Sequence, residues 1–299
     1  MLLKRLNSLP ARIAGVFDPA GYHERNFLVF FRVTICLIAI FDVVSMLADF
    51  HLLFSPNGTV IPQELIYLMS EYFSRLQRVF GFLKDHHMES SFYEGIFWVY
   101  MGSLVALMCG LFTRYSAIIA LVTQLLIFRS FAPFNYGYDY FLTMSFFYCA
   151  VFPVGKHYSI DNKLFRRIPA PAQFNYQRVL QIHLSIVYFF SGLAKAVDVN
   201  WWNGNSIWRS VASIYNDYYR IPAIVMAVIG VGVVFLETLY PALIFPKRTR
   251  KFVLALVILM HLSIGYMLEL YSFAAIMIVW NISAFGNLTT LKSVNENHQ

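Results

Sequence analysis

Residues 179–204 read VLQIHLSIVYFFSGLAKAVDVNWWNG. From Val179 to Leu193 the run is apolar enough to enter a membrane; Lys195 closes it, and Trp201 and Trp202 follow. A charge inside a bilayer is expensive, and intramembrane ionisable residues are functional candidates by default. This stretch therefore raises two questions, whether the chain is a membrane protein and why it places an amine there. The composition answers the first. Of 299 residues, 59% are hydrophobic and 13% charged, with 29 Phe and 19 Tyr. Soluble chains carry about 25% charged residues, and one core of this size cannot hide so much apolar surface.

Lipid admits helices but not open sheets, so the expected fold is an all-α integral membrane bundle of about eight transmembrane helices. The candidate spans run over roughly 27–49, 92–112, 115–131, 139–154, 177–198, 222–245, 252–268 and 271–287. The spans at 115–131 and 139–154 are short, and tilting or partial insertion would accommodate them. Around this domain, 27–287, lie a basic amphipathic lead-in at 1–26 and a polar tail at 288–299. Lys4, Arg5 and Arg12 interrupt the lead-in, so it is not read as a signal peptide.

Basic residues set the orientation. With the N-terminus inside, 15 Lys and Arg fall on inside segments and 6 on outside ones. That is the positive-inside pattern, and it implies an even number of spans with both termini cytoplasmic. The long outside loop, 51–91, contains apolar residues at Leu65, Leu68, Met69, Tyr72, Phe73, Leu76 and Phe80 at helical spacing. That helix either packs on the bundle or forms a lid over an outward-facing site. Cys36, Cys109 and Cys149 lie in apolar runs as packing residues, with no metal-ligand spacing and no disulfide framework. Nothing in the chain calls for a nucleic-acid partner.

The ionisable groups in or near spans are Arg32, Asp42, Asp139, His183, Lys195, Glu237, His261 and Glu269. Arg32 and Asp42 are expected to take part in ion pairing that fixes helix packing. In the fifth span, Gln181, Ser185, Tyr188, Gly192 and Lys195 step by four, three, four and three, which aligns them on one helix face. Leu184, Val187 and Phe190 are expected on the opposite side, and His183 is expected to be a packing residue. A polar face interrupted by glycine points into a bundle or wet cavity. Lys195, at its outer end, either snorkels to water or serves as a reactive amine, base or nucleophile. Asp198 is the nearby acid that would hold it charged. Trp201, Trp202 and Trp208 fit an interfacial aromatic belt.

Several motifs, taken in order, resemble a known family. SGLAKAVDVNWWNG is similar to the segment of vitamin K-dependent gamma-carboxylase that carries its essential lysine. FDPAGYHERNFLVFFRVTICLIAIFD, CGLFTRYS, FNYGYDYFLT, FPVGKHYSID, FLETLYP and HLSIGYMLELYSF resemble further pieces of the same family, over about residues 17–286. This is the HTTM (horizontally transferred transmembrane) superfamily, mostly bacterial, which also includes the membrane protein that matures a sporulation-delaying peptide toxin. The resemblance implies an inner (cytoplasmic) membrane location and a site on the outside, where the charge pattern independently puts Lys195. It makes Lys195 the counterpart of a base that deprotonates vitamin K hydroquinone. A quinone-like cofactor, a secreted peptide and a co-encoded maturation protein follow from it as expected partners, alongside membrane lipid.

Tyr136, Asp139, Gln181, Ser185, Tyr188, Gly192, Glu237 and His261 are expected to line the cavity with Lys195. Two departures limit the resemblance. Asn135, Tyr136 and Gly137 stand where the carboxylase has an Asn-His pair, and the large lumenal domain has no counterpart. Glutamate carboxylation is therefore not expected. The leading expectation is lysine-dependent chemistry on a quinone-like cofactor or an exported peptide. The alternative is a non-enzymatic receptor or immunity-type protein that binds a lipid or peptide in the same cavity. A transporter would call for internal repeats and broken helix pairs, which the chain lacks.

Overall fold

The computed structural model describes Val16 and residues 24–49, 77–127, 135–165, 174–212 and 217–286. The expectations for most of the lead-in, for the amphipathic stretch before Gln77 and for the tail lie outside the described residues. Among the described residues every regular element is a helix. Each region expected as a span overlaps one of these helices. Four, at Glu24–Ser45, Tyr176–Ala196, Ala223–Ile244 and Lys247–Leu268, are long and apolar enough to cross a membrane. The apolar part of another, Glu94–Cys109, and Tyr271–Phe285 are shorter. A helix rises about 1.5 Å per residue, so a 15-residue helix such as Gly137–Val151 extends about 22 Å. The hydrocarbon layer is about 30 Å thick.

The chain divides into two compact units, 28–170 and 1–27 with 171–299. The first holds most of α1 (Glu24–Ser45), then α2 (Gln77–Asp85), α3 (Glu89–Cys109), α4 (Thr113–Ile127), α5 (Gly137–Val151) and α6 (Ile160–Leu164). Along α1, Leu28, Phe31, Arg32, Ile35, Ala39 and Val43 are buried at three- and four-residue steps, while Leu37, Phe41 and Val44 face outward. α3 packs on α4, and α4 on α5. The turn between α3 and α4 needs Gly110, whose φ of 76° is left-handed and whose added Cβ would meet Ser159. Asp161 caps α4, accepting from the N–H of Phe112 (2.7 Å) and Thr113 (2.9 Å) and from the Thr113 hydroxyl (3.0 Å). Two of the sequence motifs, CGLFTRYS and FPVGKHYSID, thus fold against each other.

The second unit holds α7 (Tyr176–Ala196), α8 (Val199–Trp202), α9 (Asn205–Val211), α10 (Ala223–Ile244), α11 (Lys247–Leu268) and α12 (Tyr271–Phe285). α7 packs on α10 and α12, and α11 packs on the same two, so these four helices close a ring. Their buried stripes follow the helical period. On α10 the stripe is Met226, Gly230, Val234, Glu237, Tyr240 and Ile244; on α11 it is Val253, Val257, His261 and Gly265. Phe190, Ile186, Ile224, Val228 and Leu259 face outward, an apolar exterior suited to lipid. The short helices α8 and α9 lie on the start of α10. Glycine permits that approach: a Cβ at Gly230 would sit 2.3 Å from the Trp201 carbonyl oxygen, and one at Gly204 would sit 2.5 Å from the Ala227 nitrogen.

Candidate functional site

The site grows from one close contact between α7 and α10. Gly192 lets the helices approach until its missing Cβ would lie 2.4 Å from Thr238 N and 2.9 Å from the Glu237 carbonyl carbon. Pro241 lies inside α10, four residues past Glu237. Proline has no N–H to give the carbonyl four residues back, so α10 is short of a backbone bond at Glu237. One turn along α7 from Gly192, Lys195 Nζ donates to Glu237 Oε2 at 2.6 Å. It also donates to Ser191 Oγ at 2.6 Å and lies 5.2 Å from the centre of the Trp201 ring. An ammonium has three N–H donors. Two meet oxygens, and an aromatic face, which attracts cations, covers the remaining side. The side chains are 19% and 8% exposed for Lys195 and Glu237, so the pair is largely out of water.

Four buried polar side chains continue inward. Tyr188 Oη and His261 Nε2 are 2.7 Å apart. Asn281 Nδ2 donates to Tyr188 Oη (2.9 Å) and to the Met277 carbonyl (2.8 Å), and Tyr240 Oη donates to Asn281 Oδ1 (2.8 Å). The Tyr188 and Tyr240 rings are 4.2 Å apart, and Phe273 meets the His261 ring edge-on at 5.7 Å. Each of the four residues is at most 2% exposed. Four sequence candidates, Tyr188, Gly192, Glu237 and His261, therefore join Lys195 in one helix ring.

Other expected residues do different work. Gln181 Nε2 donates to the Ala284 carbonyl at 2.7 Å and, with Gln177, satisfies the carbonyl end of α12. The Ser185 hydroxyl donates back to the Gln181 carbonyl at 2.8 Å. Leu184 is fully buried, not outward, because it lies one turn before Tyr188 on the same stripe. His183 packs edge-on against Trp280, their ring centres 5.2 Å apart. Asp198 is not the acid of Lys195. Its Oδ1 accepts from the Asn200 backbone at 3.0 Å and side chain at 2.8 Å, capping α8. Trp201 covers Lys195, which an interfacial belt does not explain, and Trp202 Nε1 donates to the Ala196 carbonyl. Glu269 is exposed in the turn after α11.

Tyr136, Asp139, Arg32 and Asp42 belong to the first unit. Asp139 starts α5 as a cap, its Oδ2 accepting from the Tyr136 N–H at 3.0 Å. The expected ion pairing takes another form at Arg32. This guanidinium is 1% exposed and donates to the carbonyls of Val154 (2.6 Å) and Tyr158 (2.6 Å). Carbonyls suit it because the 154–158 turn leaves them without helical partners. Sequence reasoning missed Ser191, Tyr240 and Asn281. Asn281 is the one amide in IMIVWNISAF, and its isolation in an apolar run is the signal that could have found it.

The family model that matches the chain is the HTTM domain, over residues 23–285. No curated protein and no solved structure matches it.

Proposed function

We propose, for a chain that belongs to the HTTM-domain family, a multi-pass membrane enzyme in which Lys195 and Glu237 act together as a base. The observation that carries this reading is the 2.6 Å contact between Lys195 Nζ and Glu237 Oε2 at a site largely out of water. A buried ion pair is expensive to desolvate. Transfer of one proton along this contact turns the ammonium and carboxylate into an amine and a carboxylic acid, with no net charge left on either. The freed lone pair on Nζ then accepts a proton from an acidic group in the site, which restores the ammonium. Ser191 and Trp201 hold Nζ in place throughout.

A quinone-like cofactor suits the residues present. Tyr188, Tyr240 and Phe273 surround His261 with aromatic rings, and its Nδ1 is a buried polar atom with no partner among the described residues. Bound in its reduced form, such a cofactor supplies an acidic hydroxyl and reducing power. An exported peptide is the other candidate substrate, and glutamate carboxylation is not part of the proposal. The reading places eight spans in a bacterial inner membrane with both termini cytoplasmic, supported by the 15-to-6 basic asymmetry.

One observation favours a second reading, a receptor or immunity-type protein that binds a lipid or peptide. The ammonium is already fully engaged, as an anchor would be. Lys195→Arg separates the two. Arginine keeps the charge and the carboxylate partner but does not give up its proton at physiological pH. The enzymatic reading expects the phenotype of the intact gene to be lost while the protein accumulates normally in the membrane. Wild-type behaviour of that variant would overturn it.

A further inference from the structure

The hydrogen positions in the buried cluster follow from which atoms can only give and which can only take. The Met277 carbonyl can only accept, so the Asn281 amide turns its nitrogen there, at 2.8 Å. The second N–H then points to Tyr188 Oη at 2.9 Å, and Oδ1 receives the Tyr240 hydroxyl at 2.8 Å. Tyr188 Oη is thus filled from one side by a donor. Its own hydrogen faces His261 Nε2 at 2.7 Å. Nε2 must accept, so the neutral imidazole carries its hydrogen on Nδ1. That N–H is buried and meets no acceptor among the described residues.

The opposite tautomer is worse. It would leave the Tyr188 hydrogen and the Nδ1 lone pair both unsatisfied, at about 1–3 kcal/mol for each buried group. The first arrangement leaves one group, Nδ1–H, and buried polar groups without a partner are rare. A proton relay is not the explanation, because an amide does not readily pass protons on, and Asn281 joins the two tyrosines. The cluster orients the imidazole; it does not conduct.

We infer that His261 is a hydrogen-bond donor held in its Nδ1–H form by Asn281 and Tyr188, ready for a carbonyl oxygen on an apolar ligand. The apolar body follows from the neighbours, which are aromatic carbon: the Tyr188 and Tyr240 rings, tilted by 36° with centres 4.2 Å apart, and Phe273, edge-on to His261 at 5.7 Å. The ligand's identity rests on the function proposed above; the tautomer does not. Asn281 and Tyr188 are positioning residues, and His261 is the contact.

Solid-state NMR of the full chain in lipid bilayers, with histidine labelled by nitrogen-15, tests this. The His261 signals are those lost in His261→Gln. The expected result is a protonated Nδ1 and a bare Nε2 in the wild type, and both tautomers in Tyr188→Phe. Adding 2-methyl-1,4-naphthoquinone is expected to shift the Nδ1 resonance, whereas 2-methylnaphthalene, the same ring without carbonyls, is not. A protonated Nε2 in the wild type, or a single unchanged tautomer in Tyr188→Phe, overturns the orientation. An Nδ1 that ignores the quinone, or answers the hydrocarbon equally, overturns the carbonyl contact. The same shifts are expected in Lys195→Arg, so failure of the base proposal would show separately.

Discussion

Replacing Gly192 with alanine probes the contact on which the Lys195 site depends. The added Cβ would lie 2.4 Å from Thr238 N, 2.5 Å from Thr238 Oγ1 and 2.9 Å from the Glu237 carbonyl carbon, where ordinary contact begins at 3.4 Å. Two of those atoms are backbone, so no rotamer change relieves the clash, and α7 must leave α10 by about 1 Å. Forced overpacking costs about 1–3 kcal/mol. At about 2–4 °C per kcal/mol for a unit of this size, the midpoint of thermal unfolding should fall by several degrees. The separation reaches the ion pair one turn away. Added to 2.6 Å, it takes Nζ and Oε2 to about 3.6 Å, beyond hydrogen-bond range. Gly232→Ala, on the partner helix α10, is the control. Its Cβ meets nothing within 4 Å, and exchanging glycine for alanine in a helix stabilises by about 0.5–1 kcal/mol. Thermal unfolding of both purified variants in one detergent, followed by tryptophan fluorescence, gives the comparison. If Gly192→Ala melts with Gly232→Ala and keeps wild-type function, the close approach is not what builds the site.

Further outcomes are expected. Glu237→Gln leaves the Lys195 ammonium without its counter-charge and should lower stability by up to about 3 kcal/mol. Adding Lys195→Met should recover much of that loss, and an unchanged single variant in thermal unfolding would count against the pair. Trp201→Ala should destabilise by about 0.5–2 kcal/mol, with Trp201→Phe intermediate; equal melting of all three proteins would remove the ring from the site. For topology, Ser293→Cys in a background free of native cysteines should resist an impermeant thiol reagent added to intact cells, and labelling from outside would contradict a cytoplasmic C-terminus.

Much of this architecture is legible in residue order. Apolar runs locate the helices because lipid and core both demand them, and helical spacing puts Ser185, Tyr188 and Gly192 on one buried stripe of α7. Periodicity does not say which helix lies opposite. The acid nearest Lys195 in sequence, Asp198, turns out to be a helix cap, while Glu237 comes from α10, 42 residues on. Arg32 shows the same limit: its charge was visible, but carbonyls freed by a distant turn were not. Tyr240 and Asn281 lie in the apolar runs of α10 and α12, which carry no extended polar face like that of α7 to single them out. Their importance lies in hydrogen-bond direction, which emerges only once four helices meet.

Chain order adds a matter of timing. Ribosomes add about 5–20 residues per second. Lys195 therefore precedes its carboxylate partner, 42 residues on, by about 2–8 s, and Tyr188 precedes Asn281, 93 residues on, by about 5–19 s. A nascent α7 meets the insertion machinery with its lysine unneutralised. A lysine at the bilayer centre costs about 2.5–3.5 kcal/mol on insertion scales, and less near a span end. Biogenesis thus has a vulnerable interval that closes only when α10 enters. Slow translation between codons 196 and 236 would prolong it, and the cell's membrane quality-control proteases would then have longer to act.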